Sequence, residues 1–100
     1  MTLQEICNDI AIIEEKLAYG EIELSFNKLA SAMKKEHPAD TLDRILSIIG
    51  WDVFAGKEPP IEKVKETLAG LQSFQATFKV DLKEQIKNLK AYIAEQEKTT

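Results

Sequence analysis

Apolar residues return along this chain every three or four positions, the spacing that gathers one face of a helix. Leu3, Ile6, Ile10, Ile13 and Leu17 share such a face, with Cys7 at its edge. Thr2 and Glu5 have the spacing of a capping box, so a first helix is predicted from Leu3, with Gly20 as its stop after Tyr19. A second helix is predicted from about Ile22, with Ile22, Phe26, Leu29 and Met33 on one side. Pro38 is expected to end it at or before His37.

The third predicted helix starts at Asp40 or Thr41, both good N-cap types. Leu42, Ile45, Leu46, Ile49 and Val53 form its stripe, but Ile48 and Trp51 fall on the other side and Phe54 lies between. A helix apolar nearly all round is either sandwiched in a core or turns half of itself to a partner. Gly50 either allows close packing within this helix or ends it.

After "GKEPP", one pattern runs from Ile61 to Ile93 through Val64, Leu68, Leu71, Phe74, Phe78, Leu82, Ile86, Leu89 and Tyr92. These residues fall within an arc of about 140° on a helical wheel, and Val80 is the one large outlier. Unbroken phase over that distance predicts a single helix over 60–98, with a bend near 79–81. Gly70 weakens its middle, and Asp81 with Glu84 could cap a fresh start. The expected fold is all-α: three short helices in 1–57, packed on a long amphipathic C-terminal helix as one helical domain.

Length turns that helix into a prediction about assembly. At ~1.5 Å per residue it would span roughly 58 Å, against a diameter of roughly 34 Å for a domain of this size. The overhang would carry large apolar side chains into water, at ~1.5–3 kcal/mol each. A second copy is the expected cover, giving a homodimer through Phe78, Leu82, Ile86, Leu89 and Ile93. Gln75 and Gln85 fall inside the stripe, either as buried amides that set register or at a wet seam.

Composition adds limits. The chain has 44% hydrophobic and 30% charged residues, which places it among soluble globular domains. No window is long and apolar enough for a membrane span, and the start lacks the basic-then-apolar pattern of an export signal. One cysteine fits a reducing compartment, so a cytoplasmic protein is expected. The net charge of −4 disfavours nucleic acid or an anionic membrane as the main partner.

Chemistry is sparse. Cys7 and His37 are the only residues of their types, too few for a zinc set within one chain. Cys7 reads as a small core hydrophobe and His37 as a loop residue before Pro38. The four glycines are isolated, so no phosphate loop is present. No catalytic residue, metal site or cofactor is expected, and the chain is read as non-enzymatic.

Three binding functions are consistent with this frame. The first is an adaptor, regulator or inhibitor that engages another protein through Ile48, Trp51 and Phe54, with Tyr19 as a neighbour. Trp and Tyr are frequent interface anchors, although Trp51 would serve equally as the centre of a sandwiched core helix. The second is a DNA-binding regulator, because residues 26–47 are similar in cadence to a helix-turn-helix. Lys28, Lys34, Lys35 and Arg44 would meet phosphates there, but the turn is long, and Asp40 and Asp43 would face the same backbone. The third is an acidic mobile-element inhibitor that occupies a nucleic-acid site, using Glu5, Asp9, Glu14, Glu15, Glu21 and Glu23.

Overall fold

The computed structural model describes residues 2–20 and 38–98. Among these, the chain is all-α: α1 spans Leu3–Ala18, α2 Pro38–Phe54, α3 Ile61–Phe78 and α4 Lys83–Lys98. The predicted second helix lies outside the described residues.

α1 begins as expected. The Thr2 hydroxyl accepts from the Glu5 N–H at 3.2 Å, and the Glu5 carboxylate accepts from the Thr2 N–H at 3.1 Å. That reciprocal bond holds the Glu5 carboxyl below its ordinary pKa, through the backbone bond first and the hydroxyl second. Gly20, with φ 71°, takes the left-handed position after the helix, where its N–H reaches the Leu17 carbonyl. The expected stripe is buried at Leu3, Ile6, Cys7, Ile10 and Leu17.

α2 starts earlier than predicted. Pro38 is its first residue, since a first-turn proline needs no N–H partner and its φ already suits the helix; its expected role as the end of the second helix lies outside the described residues. The helix runs through Gly50 and closes beyond Phe54. There, Lys57 N–H bonds the Asp52 carbonyl and Gly56 N–H bonds the Val53 carbonyl, with Gly56 at φ 78°. This pair of bonds is a Schellman closure.

The largest correction concerns the long C-terminal helix. The span 60–98 forms two helices of 18 and 16 residues, similar in length to α1 and α2. Lys79 closes α3 in the left-handed conformation at φ 59°, Val80 turns inward with 4% exposure, and α4 restarts. The Gln75 side-chain oxygen accepts from Leu82 N–H at 2.7 Å, and Asp81 accepts from Lys83 N–H at 3.0 Å. Gln75 thus caps the next helix instead of setting a register between copies. The apolar phase survives the break because residues 79–82 amount to about one helical turn of 3.6 residues.

Folding back changes the fate of the expected dimer surface. Phe78, Leu82, Ile86, Leu89 and Ile93 are all buried within one chain, Leu82 and Leu89 completely. A second copy is not needed to cover them.

The described helices pack as a ring, α1 against α2 and α4, and α3 against α2 and α4. Neighbours run antiparallel. Lys65, early in α3, pairs with Glu97, late in α4, at 3.1 Å. Gly70 packs on Ile45, each about the same distance along its helix from the α2–α3 turn. Glu14, late in α1, faces Asp40 and Asp43, early in α2. Leu3 and Gln4, at the start of α1, share a shallow cleft with Tyr92 and Gln96 of α4. No helix among the described residues is long and apolar enough to cross a membrane.

Candidate surface on helix α2

α2 carries two apolar surfaces of different fate. Its core face, with Leu42, Leu46, Ile49 and Val53, is buried against α1 and α3. On the far side, Trp51 is 80% exposed and Phe54 53% exposed. Trp51 is therefore not the centre of a sandwiched helix. Burying a large aromatic side chain is worth on the order of 2–3 kcal/mol. Two such groups in contact with water, beside a well-filled core, make this the candidate docking surface among the described residues.

A groove runs beside these two rings, lined by Asp43, Leu46, Ser47, Gly50, Trp51 and Phe54. The lining residues recur at helical intervals over three turns, a length of roughly 16 Å at 1.5 Å per residue. Gly50 helps form its floor. A side-chain carbon there would rest at 3.7 Å from Leu46 and 3.8 Å from the Phe54 ring, so its absence leaves the space open. The groove's volume is ≈ 230 Å³, below the ~300–1,000 Å³ usual for sites that enclose a small molecule.

Carboxylates stand beyond one end of the groove. Glu14 of α1 meets Asp43 side chain to side chain, with Asp40 and Glu15 close enough to act on its charge. The Glu14 carboxyl is pushed up from its ordinary pKa, by burial first and then by the charge of Asp43 and a hydrogen bond to it. When protonated, Glu14 donates that bond to Asp43.

The other predicted partner-binding residues are placed differently. Ile48 is half-buried and packs against the core. It lies roughly 120° around the helix from Phe54, away from the groove. Tyr19 is 74% exposed but caps the end of α1, which lies beside the start of α2. Trp51 is some 11 residues further along, roughly 16 Å. The structure brings together Trp51 and Phe54 but not Tyr19. Ile12, half exposed on α1, was missing from the sequence-derived set. Its signal was present, as an apolar residue off the α1 stripe.

For the DNA-reading alternative, Lys28, Lys34 and Lys35 lie outside the described residues, as does the first half of the would-be hairpin. Arg44 is exposed on α2 between the Asp40–Asp43 end and Trp51. Of the acidic residues in the inhibitor alternative, Glu5 is engaged with Thr2 in the cap. Glu21 and Glu23 lie outside the described residues.

Cys7 is fully buried, and burial alone pushes its thiol up to about 11. At neutral pH it is therefore a protonated core side chain and a poor nucleophile. Tyr92 sits over the α2–α3 turn with its hydroxyl 3.5 Å from Glu58. Burial, and then the Glu58 charge, raise its pKa. No protein-family model, curated protein or solved structure matches this chain.

Proposed function

We propose that this protein is a non-enzymatic adaptor, regulator or inhibitor that binds another protein through the outer face of α2. The observation that carries this reading is the pairing of exposed Trp51 and Phe54 with the groove beside them. Aromatic anchors beside a pocket, on a rigid helix, are the usual centre of a protein interface. A shallow, three-turn groove suits a chain segment better than a metabolite. The non-enzymatic part rests on the sequence, with one His and one Cys, and on the burial of that Cys7 in the core.

The test is affinity capture from the native host with three baits: wild type, Trp51→Ala, and Glu62→Ala as an exposed control on α3. The expected result is a protein recovered with the wild type and the control, binding the purified chain at fixed stoichiometry, and lost with Trp51→Ala. Equal recovery by all three baits, or recovery by none, would overturn the proposal.

A further inference from the structure

The chemistry along α2 narrows the partner, given the docking reading above. The groove follows a single helix for three turns, and its open side is bordered by Trp51 and Phe54. A second helix laid along it can place apolar residues at i, i+3 or i+4, and i+7 against Leu46, Gly50 and the two rings. Its far end is acidic. Asp43 lines the groove, and Glu14 and Asp40 stand beside Asp43.

The two helix ends that meet there have opposite dipoles. Acids at the start of α2 are favoured by the helix dipole, but Glu14 and Glu15 near the end of α1 are disfavoured by theirs. Two carboxyls in contact repel when both are ionised, and a cation brought between them would relieve that repulsion. Asp43 belongs both to this carboxyl pair and to the groove lining, so the acidic end and the apolar groove form one continuous surface.

We propose that the α2 groove receives an amphipathic helix of a partner protein, with apolar anchors against Leu46, Gly50, Trp51 and Phe54 and a basic side chain on Glu14 and Asp43. A partner arginine is the best match, because its planar fork can satisfy two carboxylates at once. The surface is then selective by charge: an acidic helix of the same apolar pattern is rejected.

Trp51 is the one tryptophan of the chain, so its emission reports the groove directly. The purified full chain is titrated with three synthetic helical peptides that share one apolar i, i+4, i+7 pattern. They differ only in the last turn, which carries two Arg, two Gln or two Glu. The Arg peptide should shift Trp51 emission to the blue and bind at least tenfold tighter than the Gln peptide, with the Glu peptide weaker still. Added salt should erase that order. In the doubly substituted Glu14→Gln, Asp43→Asn chain, with its helical content checked by circular dichroism, the three peptides should bind alike.

Equal binding of the three peptides to the wild type would overturn the basic-partner inference while leaving α2 as a docking face. Absence of any emission shift would overturn the helix-in-groove inference itself. The broader docking reading would still be decided separately, by the Trp51→Ala capture.

Discussion

Gly70 sits where α3 crosses Ile45, and a methyl group added there would lie 2.9 Å from Ile45 Cγ2. The Ile45 side chain is branched at Cβ and has little rotamer freedom to yield. Alanine would ordinarily help a helix interior by about 1 kcal/mol, but overpacking costs about 1–3 kcal/mol. Gly70→Ala is therefore expected to destabilise by about 1 kcal/mol in denaturant unfolding, and Ile45→Ala in the same chain should remove that penalty. Glu14 makes the opposite kind of prediction. The folded chain holds its proton to higher pH than the unfolded chain, so stability falls as pH rises through the range above the ordinary carboxylate pKa. Glu14→Gln should raise Tm at neutral pH by about 1–3 °C, the worth of a like-charge pair. That gain should shrink as pH falls through the ordinary carboxylate range, because Glu14 takes up its proton in the folded chain first.

Among the elements, the 79–82 turn decides the architecture. Its position was only half legible. Asp81 and Glu84 signalled a fresh start, and Val80 stood off the apolar stripe, where an uninterrupted helix would have placed it in water. Both hints were outweighed by a stripe that kept its phase, because a turn of four residues advances the wheel by little more than one revolution. Lys79 supplied no signal, since a lysine is not a residue type that marks the left-handed conformation. Lys79→Gly should therefore stabilise the fold by about 0.5–1 kcal/mol, measured by chemical denaturation. A loss of stability would show that α3 and α4 are not separated by this turn. Elsewhere the cap of α1 and the core faces of α1 and α2 were legible, because each follows from spacing alone. The start of α2 was placed two or three residues late, because Asp40 and Thr41 are good N-cap types, while the suitability of Pro38 for a first helical turn leaves a weaker mark in the sequence.

For the molecule as a whole, antiparallel packing of the described helices turns the expected dimer seam into the core of a single chain. Leu89→Ala should then cost about 2–5 kcal/mol, as for a cavity in any core. It should do so equally at low and high protein concentration; a concentration-dependent midpoint would restore the seam between copies. The candidate surface was legible in part. Periodicity placed Ile48, Trp51 and Phe54 off the α2 stripe, yet could not say whether a neighbouring helix covered them. Only packing separates the three, leaving Trp51 and Phe54 outside and drawing Ile48 in. Tyr19 belonged to a different end of the bundle, because its distance from Trp51 depends on the antiparallel course of α1 and α2.

The most direct test of α2 as a working surface is the unfolding free energy of Trp51→Ala against wild type. An indole that is 80% exposed contributes little to the core, and the expected difference is within about 0.5 kcal/mol. A loss of about 3–5 kcal/mol, the cost of emptying a core aromatic site, would place Trp51 in the interior and contradict the account.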